Sequence, residues 1–132
     1  LMTDEEFSHY IDQAVETLPD EFKSKLSNVA ILMDDFPNPQ QMRRAGLQPG
    51  RGLLFGLYEG IPQHRRGNYY GVGMTYPDRI TIFKQSLLLV SRSKEELINR
   101  IHDTVLHEIG HHFGMNEEEI RRAEASRRSR KK

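Results

Sequence analysis

The segment HEIGHHFGMNE, residues 107–117, carries the most specific information in this chain of 132 residues. It places His107 and His111 four residues apart, so on a helix both imidazoles lie on one face and can bind one metal ion. Glu108 lies beside this pair and can accept a proton from a water molecule that the metal activates. The segment therefore predicts a zinc-dependent hydrolase, and among hydrolases a peptidase.

The residues before this segment predict a helix that buries one stripe and exposes the histidine pair. Ser93 and Glu96 form a capping-box pattern that opens a helix near residue 94, and Gly114 ends it. On a helical wheel the histidine pair falls nearly opposite an apolar stripe, as a site that lines a cleft requires. The stripe consists of Leu97, Ile98, Ile101, Val105, Leu106, Ile109 and Phe113. His102 and His112 fall off the metal face, and we expect His112 to be a packed or orienting residue.

A catalytic zinc ion takes three protein ligands and keeps a fourth position for water. Gly114 can adopt the left-handed conformation that reverses the chain, which would return Glu117 to the metal as the predicted third ligand. Glu117 also has an ordinary explanation, because carboxylates at the start of a helix interact favourably with its dipole. Glu118 and Glu124 therefore stay open as alternative ligands. Asp103, one turn before the first motif histidine, is either an orienting partner of that imidazole or an ordinary surface aspartate.

The composition limits the kind of metal site and the compartment. The chain has no cysteine, so disulfides and thiolate ligands are excluded, and a cytoplasmic location is expected. No apolar run approaches the roughly 20 residues of a membrane helix, and residues 1–20 show no secretory signal, so no membrane association is expected. The formal net charge is zero, but the C-terminal end is strongly basic. We expect residues 126–132 to form a flexible, solvated tail, with nucleic-acid contact as the less favoured alternative.

The remaining sequence predicts one domain, residues 1–125, of the α+β class, with a small mixed β-sheet packed against the metal helix and additional helices. A capping box of Thr3 and Glu6 opens a first helix, which Pro19 ends. The further predicted elements are a short helix near 20–25, strands at 29–33, 53–58 and 79–84, loops at 37–52 and 61–78, and a helix from 116 to about 125. Residues 87–90 either extend the third strand or form a short helix.

The segment 79–84 alternates apolar and polar residues, so we expect a strand with one buried face. It is either an edge strand that could pair with an extended peptide or an ordinary interior strand. The loop 61–78 contains candidates for stabilising an oxyanion, none of which the sequence favours over the others. These candidates are His64, Arg65, Arg66, Tyr69 and Tyr70.

The segment HEIGHHFGMNEEEI at 107–120, with GLYEGIP at 56–62 and PDRITIF at 77–83, resembles the small bacterial zincin-like metallopeptidase family. The resemblance covers most of residues 5–122. It implies a minimal one-domain zincin-like fold, a zinc ion held by the two motif histidines, and a carboxylate at the position of Glu117. Glu117 stands where the metzincin pattern HExxHxxGxxH has its third histidine, and no methionine follows Met115 to form a Met-turn.

Together these features give the hypothesis of a zinc-dependent metallopeptidase that hydrolyses peptide bonds with Glu108 as general base. Its expected cofactor is Zn2+, and its expected partner is a peptide or protein substrate. Two alternatives remain open. One is a non-catalytic zinc-binding or interaction domain, and the other is an intracellular regulatory protein that associates with nucleic acid through the basic tail. The sequence indicates neither the substrate nor the oligomeric state.

Overall fold

The computed structural model describes residues 2–60 and 78–131, with side chains described through Ala125. Its elements are α1 (Asp4–Glu16), α2 (Asp20–Lys23), a 3-10 turn (Ser24–Asn28), β1 (Val29–Asp34), α3 (Pro39–Arg44), β2 (Gly56–Glu59), β3 (Asp78–Phe83), α4 (Lys84–Val90), α5 (Lys94–His112) and α6 (Glu117–Lys131). The predicted α+β class is confirmed. The predicted loop 61–78, with its oxyanion candidates, lies almost wholly outside the described residues.

The sheet is mixed, as predicted. Among the strands that the structure describes, the order is β1-β3-β2, with β3 parallel to β1 and antiparallel to β2. β3 is therefore the central strand. Of the two alternatives for residues 79–84, the interior strand is the one observed, and the edge strand is not. The expectation of one buried face was wrong, because Ile80, Thr81, Ile82 and Phe83 are all buried.

Both faces of β3 are covered because helical elements lie on each side of the sheet. Ile80 and Ile82 join the main apolar core with α1 and α5. On the other face, Glu59 of β2 accepts a hydrogen bond from Gln41 of α3 at 3.2 Å and pairs with Arg44 of the same helix. Residues paired across antiparallel strands share a face, and Glu59 pairs with Arg79. Arg79, Thr81 and Phe83 of β3 therefore lie on the side of the sheet that α3 covers.

The core fixes α5, which carries the histidine pair. Ile101, Val105 and Ile109 are fully buried along one stripe of α5, as the helical wheel predicts. α1 packs on this stripe through the buried side chains Phe7, Ile11 and Ala14. Burial of each large apolar side chain contributes about 1.5–3 kcal/mol. The face of α5 opposite this stripe is thereby left toward solvent.

α3 lies inside the segment 37–52, where the sequence analysis predicts a loop, and that prediction was wrong. Asn38 caps the helix, accepting a hydrogen bond from the Gln41 main chain at 2.7 Å, while Gln41 reaches back to Asn38. Pro39 occupies the first helical position, where its missing N–H costs nothing. The sequence contains the capping pattern of Asn38 and Gln41 with Pro39 between them, but the surrounding proline and glycine residues favoured a loop.

α6 returns along α5 after a tight reversal. Gly114 has a φ of +83°, and the Met115 N–H donates to the Gly110 carbonyl at 2.7 Å. Asn116 and Glu119 form the predicted capping box at the start of α6. The helix continues to Lys131, beyond the predicted end near 125, so its main chain takes in most of the predicted tail. Among the described residues, no helix combines the length and apolarity needed to cross a membrane.

Candidate metal centre

The two motif histidines lie on the solvent-facing side of α5, as predicted. The side chains of His107 and His111 are 40% and 56% exposed, and their ring centroids are 5.9 Å apart. The residues between them include Ile109, which is fully buried. The helix therefore holds both imidazoles by its rigid main chain while leaving them open to a ligand.

The tautomer of His107 follows from its hydrogen bond. Its Nδ1 lies 2.7 Å from the main-chain carbonyl oxygen of Asp103. A carbonyl can only accept, so Nδ1 is the donor, and the lone pair of the neutral ring is on Nε2. This is the arrangement by which a protein prepares an imidazole for a metal ion. Of the two alternatives for Asp103, the orienting partner of His107 is the one observed, and the contact is made by the Asp103 main-chain carbonyl.

Two carboxylates of α6 reach the histidine pair. Oε1 of Glu117 lies 3.0 Å from Nε2 of His111, and its Oε2 lies 4.0 Å from Nε2 of His107. Oε1 of Glu124 lies 3.8 Å from Nε2 of His107, and its side chain is only 11% exposed. Glu118 lies on α6 with its carboxylate 3.8 Å from Arg122. Glu117 and Glu124 are therefore both adjacent to the site, whereas Glu118 faces elsewhere.

The donor set fits zinc by type. Two imidazole Nε2 atoms and a carboxylate are the ligands of many catalytic zinc sites, whose metal–donor distances of roughly 2.0–2.1 Å place neighbouring donors about 3.3 Å apart. The pair of His111 and Glu117 is close to this spacing, and the pairs of His107 with Glu117 and Glu124 are wider. Among the residues that the structure describes, no group of three or more histidine, cysteine, aspartate or glutamate side chains is arranged closely enough to hold a metal ion.

Glu108 is held between α5 and β2. The main-chain N–H of Tyr58 donates a hydrogen bond to its carboxylate. Burial raises the pKa of Glu108 above its ordinary value, and this effect outweighs the opposing influence of His111, His107 and the Tyr58 N–H. Glu108 is therefore a stronger proton acceptor than an exposed glutamate.

Gly56 permits this close approach of β2 to α5. A Cβ atom at Gly56 would lie 3.0 Å from Cγ2 of Thr104 and 3.1 Å from Cγ of Glu108. A larger residue would require these side chains, or the strand, to shift by a few tenths of an ångström. Neither Gly56 nor Tyr58 was identified as a site residue from the sequence, because their roles depend on a strand–helix contact between distant parts of the chain.

A cleft of about 370 Å³ opens beside the histidine pair. It is lined by Leu53, Leu54, Phe55, Gly56, Leu87, Arg100, Asp103, Thr104, His107 and Glu108. A larger cleft of about 590 Å³ lies between the α1–α2 region and the start of α6. The smaller cleft is the one that matters for chemistry, because it contains the candidate base and a candidate ligand.

The other histidines of α5 do not join the metal face. His102 is buried. The ring of His112 stacks on Tyr58, with centroids 3.3 Å apart and planes at 16°. Burial lowers the pKa of His112, which favours its neutral form. The Tyr58 hydroxyl in turn donates a hydrogen bond to Asp78.

Comparisons with known proteins show the family and support the fold. The model of the family described as zincin-like metallopeptidase matches residues 26–127. A solved structure of a conserved hypothetical protein from Thermo thermophilus is similar to this chain, with a TM-score of 0.55 and 21% identity. The match covers 84% of this chain and 94% of that one, and it supports the fold. No curated protein matches the sequence.

Proposed function

The chain belongs to the zincin-like metallopeptidase family, and on this premise we propose that it is a zinc-dependent peptidase with Glu108 as general base. One observation carries the proposal. The Glu108 carboxylate is partly buried beside the two motif histidines, at a cleft with room for a substrate side chain. The hydrogen bond from the Tyr58 N–H holds the carboxylate in this position, as a general base beside a metal-bound water requires.

The proposed ligands are His107 and His111, through Nε2, and Glu117. The Asp103 carbonyl supports His107 in this role, because it leaves Nε2 unprotonated. The two oxygens of Glu117 face one histidine each, which supports it as the third ligand. Glu124 is the alternative, since its buried carboxylate lies near His107.

In the proposed reaction, Glu108 accepts a proton from the attacking water as the water oxygen bonds to the scissile carbonyl carbon. Bound zinc would polarise that carbonyl and acidify the water. Glu108 then gives the proton to the amide nitrogen, the C–N bond breaks, and an amine and a carboxylic acid leave. The raised pKa of Glu108 suits both transfers, because it favours accepting the proton without making its release difficult.

An extended substrate is proposed to lie along β2. Among the described strands β2 is at an edge, and the Phe83 N–H donates to the Phe55 carbonyl at 2.8 Å. That bond places the pairs that are hydrogen-bonded to β3 at alternate residues, so the main-chain groups of Gly56 and Tyr58 face away from β3. The Tyr58 N–H donates to Glu108, so the substrate is proposed to pair with the Gly56 main chain. A peptide added at this edge would run beside Glu108 and the cleft.

The test compares zinc content and peptide cleavage in the wild type and Glu108→Gln. Mass spectrometry would follow cleavage of a peptide library, and elemental analysis would give the zinc stoichiometry. We expect Glu108→Gln to keep its zinc and lose about 10²–10⁴-fold in kcat/KM. Glu118→Gln, a change at a side chain that is 70% exposed, is the matched control and should cleave normally.

Two outcomes would contradict the proposal. Zinc-loaded wild type that cleaves no peptide would favour a non-catalytic zinc-binding domain. Equal cleavage by the wild type and Glu108→Gln would assign the chemistry to another group.

A further inference from the structure

We propose that His112 is a positioning residue, which holds β2 against the end of α5 so that the Tyr58 N–H can fix the Glu108 carboxylate. The inference rests on the proposed function in one respect, namely that Glu108 is the base. Its structural part concerns four side chains, those of His112, Tyr58, Asp78 and Glu108, together with the Tyr58 N–H, and it can be tested without activity.

Tyr58 contacts α5, β3 and the candidate base. Its ring face lies on His112, its hydroxyl donates to Asp78 at the start of β3, and its main-chain N–H donates to Glu108. The ring is therefore held on its face and at its hydroxyl, and a ring fixed in this way restricts the main chain that carries it. The same residue thus joins the end of α5, the start of β3 and the candidate base.

The Tyr58 N–H points away from β3. The bond from Phe83 to Phe55 places Tyr58 at a position of β2 whose main-chain groups point away from β3. This N–H cannot join the sheet described here, and a partner from outside the sheet must satisfy it. Glu108 is that partner, so the position of β2 relative to α5 determines how well the carboxylate is held.

β2 is a short strand. It has four residues and, within the described part of the chain, pairs with β3 along one side. The stacked pair of His112 and Tyr58 adds a contact from α5 through the Tyr58 side chain, with the ring planes at 16°. His112 itself lies outside the buried core. Its loss is therefore expected to loosen β2 without unfolding the domain.

The experiment compares His112→Ala with His112→Phe, which keeps a flat ring for the stack. The first readout is the hydrogen exchange of the Tyr58 amide, followed by NMR in the metal-free protein. We expect exchange about tenfold faster in His112→Ala and close to wild type in His112→Phe. The second readout is kcat with zinc loaded, which should fall about 10–100-fold in His112→Ala, with KM and zinc occupancy unchanged, and recover in His112→Phe.

His9→Ala is the matched control, because His9 also contacts a tyrosine ring, Tyr10, on an exposed face of α1. It should leave both readouts unchanged. Wild-type Tyr58 exchange in His112→Ala would overturn the proposal, as would equal damage from alanine and phenylalanine. A loss of zinc occupancy parallel to kcat would also overturn it, by showing that the effect passes through His111. If the wild type cleaves no peptide, the proposed function fails, while the exchange measurement still decides the role of His112.

Discussion

Replacing Gly110 with alanine should weaken zinc binding more than it weakens the fold. A Cβ atom at Gly110 would lie 2.9 and 3.0 Å from Cγ1 and Cδ1 of Ile120, and 3.3 Å from Sδ of Met115. Ordinary carbon contacts are about 3.5–4.0 Å, so Ile120 must retreat by about 0.5–1 Å. Ile120 lies in α6 between Glu117 and Glu124, and its retreat moves both carboxylates away from the histidine pair.

The stability cost is the difference of two opposing effects. Overpacking a filled core costs about 1–3 kcal/mol, whereas alanine in place of glycine inside a helix gains about 1 kcal/mol. The net loss in the free energy of unfolding is therefore about 0–2 kcal/mol. Metal ligands tolerate displacements of only about 0.2 Å, and disturbing the support of a metal site costs about 10–100-fold in affinity. We expect Gly110→Ala to lose zinc affinity by that factor.

The assay is zinc competition against a chelating dye, together with urea unfolding of the metal-free protein. Gly46→Ala is the matched control, because Gly46 has a φ of +80° and no described atom within 4 Å of an added Cβ. Its strain should cost about 1–2 kcal/mol with zinc affinity unchanged. Adding Ile120→Val to Gly110→Ala should recover part of the affinity, because valine lacks the Cδ1 atom. Wild-type zinc affinity in Gly110→Ala would refute this reasoning, and so would an equal loss in Gly46→Ala.

Three further substitutions test other parts of the structure. Because burial raises the pKa of Glu108 above 4.5, the charged form destabilises the folded metal-free protein; Glu108→Gln should raise the free energy of unfolding at pH 7. That gain in the free energy of unfolding should shrink as the pH falls through the raised pKa, and it should vanish below pH 4.5. Urea unfolding at several pH values measures it, and a gain that does not change with pH would contradict the raised pKa of Glu108. Gly56→Ala should displace β2 from Thr104 and Glu108 and lower kcat with zinc retained; an unchanged kcat would show that the close contact is unnecessary. Asn38→Ala should cost about 1 kcal/mol in urea unfolding through loss of the α3 cap, and a cost near zero would mean that the cap is dispensable.

Local patterns predicted the parts of the fold that depend on neighbouring residues. The histidine pair, the apolar stripe of α5 and the glycine that ends it all follow from helical periodicity and capping, which act over a few residues. The capping boxes at Thr3 and Asn116 were predicted for the same reason and are present. The match of the family model to residues 26–127 agrees with the resemblance seen in the sequence.

The features that the sequence did not predict depend on distant parts of the chain. The burial of both faces of β3 requires knowing that helices pack on both sides of the sheet, and residue alternation alone cannot show this. The contact of Tyr58 with Glu108 and His112 requires the approach of β2 to α5. The position of Glu124 near His107 depends on how α6 packs on α5.

The proposed metal centre is tested most directly by a crystal structure of the zinc-loaded protein, with anomalous diffraction recorded on both sides of the zinc absorption edge. The proposed ligand set predicts one anomalous peak bound by Nε2 of His107, Nε2 of His111 and the Glu117 carboxylate at roughly 2.0–2.2 Å, with Glu108 beside it and unbound. A zinc peak away from the histidine pair, or no peak at full zinc loading, would contradict it.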